Sequence, residues 1–268
     1  PGIHRLKQDG VPILALDATA RKKLEPGLSD DIVPAASWSL ANDEIINGRQ
    51  WLIDLKTNAS RMGCKFLTHT TVSHVKAGGT LCTHSDNSGE KTHTFDAIVV
   101  CTGYDAAKLL LRPGWTPPLL NMSQCSVSAP ISEPMLGPMS GVFDVNSRIT
   151  ISRTGMRLKA SSSDGLWPGE DPKPSFRKLY QAMVDWFPGA THLHGLQACT
   201  QNWQGICSHT PDGLPLVGRS QLPGVWINMG HGSSGWTFAP GAARYLADLM
   251  EGRSTLSDQI DLSPTRFD

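Results

Sequence analysis

At 268 residues the chain is long enough to bury a substantial core, as one large domain or two modest ones. Lys plus Arg and Asp plus Glu each number 24, so the formal charge is zero and no field exists to gather nucleic acid or anionic lipid. No apolar run approaches the ~18 residues that would span a bilayer, and six cysteines without CxxC spacing or a secretory signal predict reduced structural thiols in a cytoplasmic protein, with peripheral contact at the inner membrane left open.

The opening, "PGIHRLKQDGVPILALD", has no initiator Met and reads as the middle of a domain, a short strand leading to a helix capped by Asp17. Processing, a boundary within a longer chain or a separate partner chain would each account for Pro1 at the start. "LDATARKKLEPGL" continues that helix to Glu25 and stops it at Pro26-Gly27. "AASWSLANDEI" reads as a short strand. From Asn47 to Arg61 the spacing of Trp51, Leu52 and Leu55 predicts a helix with these residues in the core.

The period then changes. "CKFLTHTTVSHVKAGGTLCTHSDNSGEKTHTFDAIVVCTGY" alternates in short strands, with hairpin turns at Gly78-Gly79 and Asp86-Asn87-Ser88-Gly89. It closes on "FDAIVVCTG", an apolar run broken by Gly103 before the helical "YDAAKLLL", the pattern of a parallel strand buried on both faces. "MSQCSVSAPI", "SGVFDV", "RITISR" and "MRLKASS" predict an antiparallel sheet. "PSFRKLYQAMVDWFPG" predicts a helix facing inward through Phe176, Leu179, Met183 and Phe187. "THLHGLQACTQNWQGICSHTPDG" returns as a long strand, on which His192 and His194 share one face, and no metal-ligand set is expected.

The last segment carries chemistry. "TPDG" has Pro second and Gly fourth, a β-turn in which Asp212 fixes its own turn. "LPLVG" and "GVWINMG" run as strands into "GHGSSGW", where Gly230, Gly232 and Gly235 strip side chains from a curve of backbone. The helix "TFAPGAARYLADLMEG" comes at once, aiming its free N–H groups and positive dipole end back at the loop. A flavin fits there, its electron-rich ring edge held by backbone donors; a tight strand-to-helix connection with glycines for packing is the alternative. A serine hydrolase is disfavoured, since neither Ser233 nor Ser234 has both glycines of a GxSxG elbow.

"TPDGLPLVG" and then "WINMGHGSSGWTFAPGAARYLADLMEGR" resemble the C-terminal signature of the FAD-dependent D-amino acid oxidase and dehydrogenase superfamily, and most of all its bacterial dehydrogenase small subunits. "KKLEPGLSDDIVPAASWSLANDEIING", "FDAIVVCTGYDAAKLL", "NMSQCSVSAPI" and "RITISRTGMRLKASS" resemble further family segments in the right order, so the likeness spans nearly the whole chain. Two departures stand out. The family's N-terminal portion, with the GxGxxG turn for the FAD pyrophosphate, is absent, and "GICSHTPDG" has Cys207 and Ser208 where the family commonly has Arg-Pro.

The resemblance implies a mixed α/β (α+β) fold: an incomplete FAD-binding, Rossmann-like layer (35–118 and 207–268) beside an antiparallel-sheet substrate domain (1–34 and 119–206). It implies oxidative deamination of D-amino acids, with hydride passing to flavin N5 and the imine hydrolysing to a 2-oxo acid and ammonia. The partners implied are an amino acid substrate, a complementary chain or fragment carrying GxGxxG, and a quinone or other electron acceptor. FAD would be held at its flavin end by Gly230, His231, Gly232, Ser233, Ser234, Gly235, Trp236 and Thr237, and at its adenosine end by Thr102 and Gly103.

Arg153 and Arg157, on the hairpin, are natural carboxylate clamps or else structural arginines at a strand end. His231 would bond flavin or substrate, or cap the helix; Trp236 would line the pocket or pack in the core. Competing readings are a glycine or sarcosine-type amine oxidase, a non-catalytic subunit of a heteromeric oxidoreductase that lost its FAD, and a free-standing binding domain.

Overall fold

The computed structural model describes residues 2–85, 89–110, 116–162, 165, 170–190, 200–253 and 260–267. The described helices are α1 (Gly2–Gln8), α2 (Ala18–Leu24), α3 (Gly48–Arg61), α4 (Ala106–Leu110), α5 (Lys173–Trp186) and α6 (Gly235–Met250). The strands are β1 (Ile13–Leu16), β2 (Ser37–Leu40), β3 (Thr71–Lys76), β4 (Thr80–Ser85), β5 (Gly89–Thr94), β6 (Ile98–Val100), β7 (Leu120–Pro130), β8 (Val142–Asp144), β9 (Ile149–Thr154), β10 (Arg157–Ser162), β11 (Gln201–His209), β12 (Leu216–Arg219) and β13 (Val225–Met229). The class is mixed α/β with antiparallel sheets, and the chain divides into two compact units, each built from two stretches: 1–63 with 124–205, and 64–123 with 206–268. Residues 35–63 thus lie in the first unit, and the early boundary expected at 34/35 lies at 63/64.

In the first unit Asp17 caps α2, its Oδ1 accepting from the Ala20 N–H at 2.7 Å. The main sheet has the order β11-β7-β10-β9-β8, and β7 to β10, β10 to β9 and β9 to β8 pair antiparallel. Alternate residues of these strands point one way: Val127 and Ala129, Ile149 and Ile151, Leu158 and Ala160 are all fully or almost fully buried. Leu179 and Met183 of α5, with Phe187 just beyond it, complete that core as the spacing predicts. Glu25 is also buried there, its carboxylate accepting from the backbone N–H groups of Met139 at 2.8 Å and Ser140 at 2.7 Å.

Helix α3 forms where its spacing predicts and is capped by Asn47, whose Oδ1 accepts from Gln50 N–H at 3.2 Å. Its apolar stripe is not core, however. No residue of α3 is buried, and Leu52 and Leu55 are 51% and 49% exposed. Periodicity reports a face that needs cover; Trp51 is half-buried, while Leu52 and Leu55 stand open among the described residues.

In the second unit β13 pairs antiparallel with β12 and parallel with β6, Val225 opposite Ile98 and Ile227 opposite Val100. Ile98, Val100, Leu216, Ile227 and Met229 form the core against Ala106 and Leu110 of α4. Val99 faces the other way and is 39% exposed, so the run expected to be buried on both faces is buried on one. A meander β3-β4-β5 joins through its Gly78-Gly79 turn, where Gly78 N–H donates to Pro223 O at 2.8 Å. The second expected turn falls at 86–88, outside the described residues. On the other face Ala242 and Leu246 of α6 pack on Val217 and Trp226.

Candidate functional site

Parallel pairing makes β6 and β13 end side by side, and the chain leaves each strand through glycine. After β6 come Thr102 and Gly103, the latter at φ +54° at the start of a short 3-10 turn leading into α4. After β13 comes Gly230 at φ +75°; a Cβ there would lie 2.8 Å from Cγ2 of Thr210 and 3.1 Å from Cδ2 of Leu119. Gly232, at φ +58°, would place a Cβ 2.7 Å from Nδ1 of His209. Only glycine combines these backbone angles with so close a wall.

A 3-10 turn, Gly232–Ser234, then runs directly into α6. His231 gives that turn no side-chain cap and Ser234 gives α6 none; the Gly235 N–H donates to Gly232 O, and the positive end of this sixteen-residue helix opens on the glycine loop. Ser233, Ser234, Trp236 and Thr237 line this mouth, and Trp236, at 53% exposure, is not core.

His231 does not cap the helix. Its Nε2 meets Oδ1 of Asn228 at 2.6 Å, and its Nδ1 is buried with no hydrogen-bond partner among the described residues. Burial lowers its pKa, which keeps the imidazole neutral at physiological pH. With Asn228 accepting, Nε2 carries the proton and Nδ1 is left as a buried acceptor in want of a donor. His231 also forms a one-residue antiparallel bridge with His209, which ties the glycine loop to the end of β11.

The "TPDG" stretch closes as expected, Gly213 N–H donating to Thr210 O at 3.2 Å and Leu214 N–H to Oδ1 of Asp212 at 3.1 Å. Upstream, Ser208 is buried and its hydroxyl donates to Oδ1 of Asn121 at 2.7 Å, while burial raises the pKa of Cys207 and keeps it a thiol. His192 and His194 lie outside the described residues.

The structure therefore brings Thr102 and Gly103 together with 230–237, all within the second unit. Arg153 and Arg157 belong to the first. Arg157 is engaged by Ser128, donating from Nε to Oγ at 2.7 Å and from Nη2 to the carbonyl at 2.8 Å. Arg153 donates from Nη1 to Pro134 O at 2.9 Å and lines a cavity of about 380 Å³ with Asp43, Glu44 and Ser140. His209 shapes the loop through a contact between segments far apart in sequence, Thr210 does so from the start of the TPDG turn, and Asn228 acts locally on His231, three residues on; none of these contacts has a motif of its own.

The arrangement suits FAD. Glycines at the carboxyl ends of adjacent parallel strands, a helix N-terminus without side-chain caps and an orphaned buried acceptor form a cradle for a large, flat, polar-edged ligand. The chain matches the DAO family, FAD dependent oxidoreductase, over residues 2–249. It is 32% identical to a D-amino acid dehydrogenase of Cereibacter sphaeroides over 99% of its own length and 60% of that protein's, and 30% identical to one of Rhizobium rhizogenes over 99% and 63%. The chain thus spans about three fifths of the length of these relatives. Among solved structures it superposes on glycine oxidase from Geobacillus kaustophilus with TM-score 0.80 at 22% identity, covering 98% of this chain and 70% of that one. L-Proline dehydrogenase from P. horikoshii superposes at 0.79 and 20%, covering 99% and 71%. These superpositions establish the fold.

Proposed function

Because the chain belongs to the DAO family of FAD-dependent oxidoreductases, we propose that it is the part of a D-amino acid dehydrogenase that holds the flavin end of FAD and the substrate. The observation that carries this reading is the adjacency of Gly103 and the Gly230–Gly235 loop at the ends of two parallel strands. Bound FAD supplies the hydride acceptor for oxidation of the substrate α-carbon. The glycine loop and the positive end of α6 behind it hold the flavin edge, and Thr102 and Gly103 hold the adenosine side. His231, fixed by Asn228, offers its neutral Nδ1 to a donor on the ligand. Arg153 is the better carboxylate clamp of the two arginines: beyond its bond to Pro134 its other donors have no partner among the described residues, whereas Arg157 is engaged at Ser128.

A complementary segment carrying GxGxxG belongs to the same reading. In the first unit it covers the apolar face of α3, and in the second it pairs with the edge of β6, which ends its sheet. A quinone or similar carrier takes the electrons onward. Visible absorption of the protein with every polypeptide that copurifies, and then anaerobic titration with D- and L-amino acids, tests the proposal. Flavin bound together with a GxGxxG segment and bleached by D-amino acids is the expected result. A preparation that stays colourless with FAD and that segment, or bleaches only with L-amino acids, would sink it; peroxide formed in air would move the activity to the oxidase class.

A further inference from the structure

The segment 260–267 carries no motif, yet it laces the second unit. Leu262 O accepts from Val217 N–H at 2.8 Å, adding to the edge of β12, and Pro264 lies over Gly218, where a Cβ would come within 3.2 Å of its Cδ. Arg266 ends this lacing. Its Nε and Nη2 donate to the two oxygens of Asp212 at 2.8 and 3.0 Å, in a fork. Nη2 also donates to Leu214 O at 2.6 Å, and Nη1 to Pro215 O and Ser263 O, both at 3.1 Å. A guanidinium has five N–H donors, and all five are matched; the side chain is only 7% exposed.

What Arg266 grips is the wall of the glycine loop. Thr210, whose hydroxyl donates to Leu214 O at 2.6 Å, presents the methyl that faces Gly230, and the preceding His209 both bridges to His231 and faces Gly232. Three of the five Arg266 bonds, to Asp212 and Leu214, hold the Thr210–Leu214 turn, and a fourth holds Pro215 just after it. An arginine some thirty residues beyond the loop in sequence thereby sets the position of the surface against which the loop is shaped.

We propose that Arg266 is a positioning residue for the Gly230–Gly235 loop, acting through the Thr210–Pro215 turn; its role toward FAD rests on the proposed flavin-holding function of that loop. Lysine cannot replace it, because an ammonium has no planar fork to span a carboxylate and three carbonyls.

Hydrogen exchange read by mass spectrometry on the full chain tests this without cofactor. Arg266→Ala and Asp212→Asn are expected to speed exchange at least tenfold in peptides covering 228–238, with 149–162 of the other unit unchanged and Arg266→Lys lying between. FAD affinity, measured in parallel, should fall at least tenfold in Arg266→Ala and recover only in part in Arg266→Lys. Faster exchange confined to 210–215 and 260–267, with 228–238 as in the unsubstituted chain, overturns the proposal. So does equal loosening of both units, which would make Arg266 a general structural residue. Absence of FAD uptake by the unsubstituted chain is a different failure: it removes the flavin reading, and the exchange data still decide whether Arg266 orders the loop.

Discussion

Helices α3 and α5 are both fourteen residues long and both carry apolar side chains at helical spacing, yet α5 buries Leu179, Ala182 and Met183 while α3 buries nothing. Their ends differ in the opposite sense. Asn47 caps α3 with its side chain, whereas Pro172 gives α5 no such bond. A helix pinned by packing needs little from its cap, and a helix without packing depends on local interactions. Within this chain α3 is therefore held mainly by what its own sequence provides.

Substitutions can break or sharpen that contrast. The largest loss is expected for Met183→Ala in α5, about 2 to 5 kcal/mol by denaturant unfolding, since it opens a cavity in a fully buried cluster. Asn47→Ala, which removes the cap of α3, should cost about 1 kcal/mol, read as lost helicity or stability. Acid gives a smaller effect on the covered charges of the second unit. Hydrogen bonds from Arg266 hold the Asp212 carboxyl well below the usual carboxylate range, against the opposing cost of burial. Its contribution is present above the ordinary aspartate pKa of about 3.9 and is lost as pH falls through the lower folded value; Asp212→Asn should flatten stability in that window. Solvent screens the pair, Asp212 being 35% exposed, which keeps this effect modest. Least of all, Leu55→Ala on α3 should change stability by under about 0.5 kcal/mol. Should Leu55→Ala alone cost as much as Met183→Ala, α3 is covered after all and the contrast fails; a cost that rises only when a GxGxxG segment is added would identify the cover.

The fold was legible where local rules act alone. Asp17 and Asn47 announce helix starts, "TPDG" closes its turn, and Leu179, Met183 and Phe187 read as one inward face. What could not be read is what lies opposite. Nothing in "TNASR" or "WLIDL" says that Leu52 and Leu55 on α3 stand open, and nothing in "RITISRTGMR" says that Ser128, 29 residues away, occupies Arg157. For the candidate site, the density of glycine points to the loop, but the reasons for it are long-range: Thr210 and His209 press on Gly230 and Gly232, some twenty residues away in sequence. Arg266 escapes altogether, since its main partner, Asp212, is 54 residues distant.

Each unit is made of two stretches, and the chain passes between them at 63/64, 123/124 and 205/206. No single cut can therefore release either unit whole. During synthesis β6 emerges well before its neighbour β13, and the residues that lace β12 come after both. At the usual 5 to 20 residues per second, the 124 residues between Val100 and Val225 keep β6 waiting for roughly 6 to 25 seconds. Its edge is open through that interval, so a chaperone that shelters bare strand edges should raise the yield of folded protein more than one that acts only after release.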